Sequence, residues 1–127
     1  MNKKITGCIV TYNNIATIDN ALGSLLKCTE APFRMYVVDN GSTDGTIEHI
    51  EKNYPQVTLI KSGGNIGFGA GHNIILDMLD SDYHAIINPD IIVKDDVISK
   101  LAEYLDQNDD IGMASPEIRF PDGRLQI

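Results

Sequence analysis

Residues 33–54 read FRMYVVDNGSTDGTIEHIEKNY, and this stretch decides the fold class. Its first seven residues form an apolar run typical of a buried strand, and the polar, glycine-containing residues 40–45 end that run. The helical spacing of Ile47, Ile50 and Tyr54 then indicates a short amphipathic helix. A buried strand that leads directly into a helix is half of a βαβ unit, so the stretch predicts a parallel sheet.

The same alternation of strand and helix continues on both sides of this stretch. Strands are predicted at residues 5–12, 33–39, 57–61, 83–88 and 111–115. Helices with an apolar stripe are predicted over residues 15–26, 47–54, 74–79 and 97–105. We expect Asp95 to cap the last helix and residues 117–127 to begin a hairpin around Pro121-Asp122-Gly123. The predicted fold class is therefore α/β, with a mostly parallel sheet flanked by helices.

The composition is that of a single globular domain. The chain has 127 residues, of which 43% are hydrophobic and 22% charged. Apolar runs are only a few residues long, too short to span a bilayer, and the first residues do not resemble a secretory leader. We therefore expect a cytoplasmic protein with no transmembrane segment, at most peripheral to the inner face of a membrane. The abrupt end in an apolar segment suggests a fragment of a longer chain, truncated on its C-terminal side.

The charge is distributed unevenly along the chain. Residues 1–63 contain six Lys or Arg and six Asp or Glu, whereas residues 64–127 contain four and twelve, which accounts for the net charge of −8. Such an acidic half repels nucleic acid and anionic lipid, so we expect no nucleic-acid partner. It also repels phosphate, unless a bound divalent cation reverses the local field.

The sequence does not match the motifs of three well-known α/β binding sites. A dinucleotide-binding site needs three glycines after the first strand, but residues 12–14 contain none. A glycine-containing turn follows the third strand instead, with His72 in place of the third glycine. No Gly-Lys-Ser/Thr is present, which excludes a P-loop. A phosphoacceptor receiver domain is the competitor from another class, although Thr-Tyr-Asn ends the first strand and Lys61 ends the third, so neither matches its acidic site.

Cysteines and histidines give no sign of a metal centre. Cys8 and Cys28 are far apart in the sequence, which favours two isolated thiols. The histidines have no ligand-pair spacing, and each is expected to be solvated or hydrogen-bonded: His49, His72 and His84.

In a parallel sheet, ligands bind beyond the carboxyl ends of the strands. Four unusual blocks follow the predicted strands: Val10-Thr11-Tyr12-Asn13, residues 37–46 (VVDNGSTDGT), residues 65–73 (NIGFGAGHN) and Asn88-Pro89-Asp90. Taken together and in this order, they resemble the family 2 glycosyltransferases of GT-A fold. The last two blocks and residues 116–123 look most like the rhamnosyltransferase-like branch. The resemblance implies that the chain binds a nucleotide-diphosphate sugar, linked to UDP or dTDP, with dTDP-rhamnose among the candidates.

The resemblance carries over a set of substrate-binding positions. They are Thr11, Tyr12, Asn13, Asp39, Gly41, Ser42, Asn65, Gly67, Gly69, Asn73 and Asn88. Asp39 would accept a hydrogen bond from the N3–H of a pyrimidine, or would alternatively bond only the backbone of its own turn at Gly41 or Ser42. Residues 11–13 would wall the base, with Tyr12 stacking on it or else packing in the core.

The glycine-rich block suits a phosphate-bearing ligand. Bare backbone around Gly67 and Gly69 can approach a ligand closely, and the start of a helix favours negative charge. A tight loop that needs positive φ angles is the alternative. Asn65 and Asn73 could donate to ligand oxygens or could instead cap local turns.

Asn88-Pro89-Asp90 stands where the family has an Asp-x-Asp metal motif, with asparagine in the first place. Only one carboxylate remains, but Mg²⁺ is often held by one or two carboxylates together with substrate phosphates. We therefore expect Asp90 to bind Mg²⁺ or Mn²⁺ with the diphosphate, the alternative being an ordinary β-turn.

The resemblance implies inverting transfer of the sugar to the hydroxyl of a saccharide or lipid-linked saccharide. It also places the catalytic base and the acceptor pocket beyond residue 127, so the 127 residues alone are expected to be a donor-binding domain without transferase activity. A non-catalytic nucleotide-binding module of the same fold is the alternative.

Overall fold

The computed structural model describes residues 2–127. Its sheet consists of β1 (Ile5–Thr11), β2 (Phe33–Asp39), β3 (Thr58–Lys61) and β4 (Tyr83–Ile87), all parallel, in the order β3-β2-β1-β4. The four predicted strands up to residue 88 are confirmed to within one residue at each end. Because β3 lies beside β2 and not beside β1, the order differs from that of the flavodoxin-like sheet, which excludes the receiver domain.

Within the described residues, four α-helices connect and follow the strands. They are α1 (Ile18–Cys28), α2 (Thr46–Asn53), α3 (Phe68–Asn73) and α4 (Val97–Gln107), with one 3₁₀ turn at Leu76–Met78. The helix predicted over residues 74–79 is wrong in position, because α3 occupies the glycine-rich residues before it. Glycine has low helix propensity, so the local sequence conceals a helix that packing against the sheet stabilises.

The cap predicted for α4 is also displaced by one residue. Asp96 caps the helix, with its Oδ1 accepting a hydrogen bond from the Ser99 N–H at 3.1 Å. Asp95 instead forms an ion pair with Lys100, with 2.6 Å between Oδ2 and Nζ.

The two central strands of the sheet, β1 and β2, are covered on both faces. Ile5 and Ile9 of β1 point into a cluster with α1, α2 and α4, whereas Cys8 and Val10 point into a second cluster that includes Ile75. Burial on both faces explains why these two strands are rich in apolar residues. The two thiols are isolated as predicted, and burial raises the pKa of Cys8 to about 12.

The chain after α4 differs in part from the prediction. Residues 111–115 form no strand, because no neighbouring strand pairs with them, and Met113 is 86% exposed. The hairpin is confirmed by an antiparallel bridge between Arg119 and Leu125 and by a 2.8 Å hydrogen bond from the Phe120 N–H to the Arg124 carbonyl. Within residues 2–127, no helix has the length and apolarity needed to cross a membrane.

Candidate nucleotide-sugar site

The carboxyl ends of β1, β2 and β3 lie side by side. Thr11 is in register with Asp39, which is in register with Lys61. The loop after β4 reaches the same edge, since the hydroxyl of Thr17, just before α1, donates to the Pro89 carbonyl at 3.1 Å. The loops predicted to converge therefore do so.

Asp39 makes the hydrogen bonds to its own turn, which is one of the two alternatives that the sequence left open. The side chain is only 1% exposed, and its Oδ2 accepts hydrogen bonds of 2.9 Å from the N–H groups of both Gly41 and Ser42. Its Oδ1 is buried and has no hydrogen-bond partner among the described residues. A buried carboxylate oxygen without a partner is unfavourable, so this atom is prepared to accept a hydrogen bond from a ligand.

The loop after β1 presents one aromatic side chain to solvent. Tyr12 is 47% exposed, so the alternative in which it packs in the core is wrong. Thr11 is fully buried, and its hydroxyl donates to Asn14 Oδ1 at 2.8 Å. The same oxygen accepts the Tyr12 N–H at 2.9 Å, and Asn14 therefore shapes the loop that carries Tyr12.

Asn13 and Ser42 join the loop after β1 to the loop after β2. The Asn13 N–H donates to Ser42 Oγ at 2.8 Å, and Asn13 Oδ1 accepts from the Thr43 N–H at 2.7 Å. Asn13 adopts a left-handed conformation with φ of 54°, which asparagine tolerates better than most residues. Both side chains thus serve the shape of the site, a role that their place in the sequence did not reveal.

The glycines of the site serve different purposes. A Cβ on Gly41, which has φ of +91°, would lie 3.3 Å from the Gly64 Cα, so the two loops approach closely there. A Cβ on Gly71 would lie 2.9 Å from Val10 Cγ1, which shows that α3 rests directly on β1. A Cβ on Gly69 would meet no protein atom within 4 Å, so packing within the chain does not require a glycine at that position.

The two asparagines of the glycine-rich block are placed differently. Asn65 Oδ1 accepts the Gly67 N–H at 3.2 Å, which is the local-turn alternative. Asn73 is exposed at the end of α3.

Asn40 is a site residue that sequence reasoning missed. Its side chain is 2% exposed and lies between the loops after β2 and β3, with Nδ2 donating to the Gly67 carbonyl at 3.0 Å. Its Oδ1 lies 3.0 Å from Ser62 Oγ, whose single proton also has the Gly64 carbonyl at 2.6 Å and the Asp39 carbonyl at 3.1 Å within reach. The only signal in the sequence is a polar residue directly after Asp39, at the position where the pattern predicts that the strand ends.

The histidines are confirmed as hydrogen-bonded in two of three cases. His49 contacts Asp19 Oδ1 at 2.6 Å, and His84 contacts Thr6 Oγ1 at 2.8 Å. His72 differs from the prediction, because it is 7% exposed and neither ring nitrogen has a partner among the described residues. Burial, and next the nearby His84, lower the pKa of His72, which favours the neutral ring.

The residues after β4 could hold a metal ion only together with a bound ligand, because they do not form a complete metal site by themselves. Asn88 and Asp90 are both exposed. Within residues 2–127, no three His, Cys, Asp or Glu side chains are grouped to hold a metal ion by themselves. One exposed carboxylate can bind Mg²⁺ or Mn²⁺ only with further ligands, and diphosphate oxygens are suitable ones.

Comparison with known sequences identifies the family of this arrangement. A sequence model described as "Glycosyl transferase family 2" matches residues 7–126. The chain is 32% identical to an N-acetylglucosaminyl-diphospho-decaprenol L-rhamnosyltransferase of Mycobacterium tuberculosis, over 91% of this chain and 41% of the relative. It is also 32% identical to an uncharacterized glycosyltransferase of Haemophilus influenzae, over 81% of this chain and 33% of the relative. The chain thus spans less than half the length of these relatives.

Solved structures share the fold. S. aureus TarS 1-349 in complex with UDP superposes with a TM-score of 0.74 at 22% identity, over 95% of this chain and 43% of that one. The mannosyltransferase PcManGT from Pyrobaculum calidifontis, in complex with GDP-Man and Mn²⁺, also gives 0.74, at 21% identity over 83% of this chain and 33% of that one. These neighbours are GT-A glycosyltransferases, and the fold is GT-A. Since the family model extends over almost all of the sequence, the chain belongs to glycosyl transferase family 2.

Proposed function

We propose that residues 1–127 form the donor-binding domain of an inverting glycosyltransferase, and that the donor is a sugar linked to UDP or dTDP. The observation that carries this proposal is the buried, unpartnered Oδ1 of Asp39 at the edge where the loops meet. An acceptor that carries negative charge suits the N3–H of uracil or thymine. The exposed ring of Tyr12 supplies a surface on which the base can stack.

The glycine-rich block would bind the diphosphate. Open space beside Gly69 allows close approach to the backbone. Asn73 and Asn88 are exposed amides that can donate to phosphate or sugar oxygens.

Asp90 would hold Mg²⁺ or Mn²⁺ together with the donor. A cation in that position neutralises charge on the departing diphosphate. It also offsets the negative charge of residues 64–127, which would otherwise oppose binding of a diphosphate. The Mn²⁺ in the PcManGT complex supports this assignment for the fold.

The acceptor would be the hydroxyl of a saccharide or of a lipid-linked saccharide. Support comes from the name of the M. tuberculosis relative, which acts on a diphospho-decaprenol. We assign no catalytic base within residues 1–127, and expect the base in chain outside them. Nucleotide sugars and lipid-linked acceptors meet at the inner face of the membrane, so we propose a cytoplasmic, peripheral location. A non-catalytic nucleotide-binding module of the same fold is the second candidate.

A panel of nucleotides tests the ligand class. UDP and dTDP should raise the unfolding temperature, whereas NAD and ATP should not, because the dinucleotide and P-loop glycines are missing. Ligand at 100 times its Kd stabilises a protein by about 2.7 kcal/mol, which a thermal-shift assay detects readily. Equal stabilisation by ATP would contradict the pyrimidine assignment.

Two glycine substitutions distinguish an effect on UDP binding from an effect on packing within the protein. Gly69→Ala should preserve or raise stability, by up to about 1 kcal/mol, because alanine is the better helix former and its Cβ meets no protein atom. It should nonetheless weaken UDP binding, since the methyl group occupies the space proposed for the diphosphate.

Gly71→Ala is the matched control. Its Cβ would collide with Val10, so it should lower the free energy of unfolding by about 1–3 kcal/mol. Chemical denaturation and UDP titration of both variants measure the two effects. Undiminished UDP affinity in Gly69→Ala would place the diphosphate elsewhere.

A further inference from the structure

Asn40 connects three of the loops that form the proposed site. Its backbone N–H donates to the Thr11 carbonyl at 2.9 Å, at the end of β1. Its side-chain amide bridges Ser62, just after β3, and Gly67, just before α3. At 2% exposure, the side chain has little room to move.

The amide can take only one orientation. The Gly67 carbonyl can only accept, so the Asn40 Nδ2 must face it and Oδ1 must face the Ser62 hydroxyl. Gly67 has φ of +91°, and its carbonyl also accepts the Gly71 N–H at 3.0 Å, the first turn of α3. Asn40 therefore holds the residue at which the glycine-rich loop passes into the helix.

We propose that Asn40 is a positioning residue that sets the distance between the base-binding carboxylate of Asp39 and the glycine-rich loop at Gly67. The inference rests on the proposed function, in which the two elements bind the base and the diphosphate of one ligand. Asp39 is held by the N–H groups of its own turn, so a displacement of Gly67 leaves the base contact in place and moves only the diphosphate contact. Asn40 thus determines how much more tightly the protein binds a nucleoside diphosphate than the nucleoside alone.

Asn40→Asp tests this with an almost isosteric change. At about pH 8 the introduced group is a carboxylate that faces the Gly67 carbonyl, and two acceptors repel each other. We expect UDP affinity without metal to fall by about tenfold or more, while uridine affinity changes by less than about twofold. Titration calorimetry with both ligands measures the difference.

The pH dependence of the same variant distinguishes a specific effect of the introduced carboxylate from general damage to the fold. When the introduced carboxyl is protonated, it can donate to the Gly67 carbonyl again, so UDP affinity should recover towards the wild-type value as the pH falls. Burial beside Asp39 raises the pKa of such a group, so recovery is expected between about pH 8 and pH 5. Wild-type protein titrated over the same range gives the baseline.

Asn108→Asp is the matched control, because the Asn108 amide also donates to a carbonyl, that of Tyr104 at 2.7 Å, in the last turn of α4. It should alter neither UDP nor uridine binding. If Asn40→Asp does not fold, Ser62→Ala decides the question, since it removes a partner of the same amide and should weaken UDP more than uridine.

The UDP and uridine titrations distinguish failure of the proposed function from failure of the positioning role. Failure of the wild-type protein to bind UDP rejects the proposed function, and this inference with it. If the wild type binds UDP but Asn40→Asp weakens UDP and uridine equally at every pH, the positioning role is wrong while the proposed function stands. If only Ser62→Ala folds, equal effects on UDP and uridine overturn the inference in the same way.

Discussion

Asp39→Asn is expected to weaken UDP binding by about ten- to hundredfold while leaving the fold intact. The remaining side-chain oxygen can still accept the N–H groups of Gly41 and Ser42, as Oδ2 does now at 2.9 Å. The new NH₂ group then takes the place of the buried Oδ1 and meets the N3–H of uracil, so that two donors face each other. We therefore expect UDP affinity to fall because the base is no longer recognised, while the turn after β2 is preserved.

The same substitution should change which base is preferred. Cytosine has an acceptor at N3 and a donor at N4, the reverse of uracil, so the introduced amide suits CDP better than the carboxylate did. We expect the ratio of UDP to CDP affinity to fall by more than the UDP affinity alone. Titration calorimetry with both diphosphates and both nucleosides measures this, because the nucleosides carry no phosphate to recruit a metal.

Asp122→Asn is a suitable control for the substitution at Asp39. Asp122 Oδ1 accepts the Arg124 N–H at 3.0 Å within the hairpin, so it is likewise a turn carboxylate that bonds the backbone two residues on. It should leave nucleotide binding unchanged. If Asp39→Asn lowered stability without any selective effect on uracil ligands, Asp39 would be a turn residue only.

Asp90→Asn should abolish the part of UDP binding that depends on Mn²⁺. An amide is a much weaker ligand for a divalent cation than a carboxylate, and the neighbouring Asn88 cannot replace the lost charge. Binding without metal should be preserved or become slightly tighter, because one negative charge near the phosphates is removed. UDP and uridine titrated with and without Mn²⁺ separate these effects, and only UDP should respond to the metal in the wild type.

Asp109→Asn is the control for charge in that experiment. It removes the same charge from another exposed carboxylate of the acidic half. Metal dependence should survive this change. An Asp90 variant with the metal dependence of the wild type would leave Asn88-Pro89-Asp90 as an ordinary β-turn.

Local patterns in the sequence were sufficient to predict the four strands, the edge at which the loops meet and the turn after β2. Each of these depends on neighbours in the chain: apolar runs, helical spacing and polar residues at strand ends. The pattern failed where a segment needs a distant partner. Residues 111–115 have the composition of a strand and pair with nothing, and α3 forms from glycine-rich sequence because it packs on Val10.

The sequence by itself determined the fold class, the family resemblance and the residues that gather at one edge of the sheet. Only the tertiary structure decided how those residues are used. Asp39 has one oxygen committed to its turn and one without a partner, and local sequence cannot distinguish the two. The amide of Asn40 bonds groups 22 and 27 residues away in the chain. Burial and long-range hydrogen bonds arise only when the strands are side by side, and they convert a set of polar loops into a site with defined geometry.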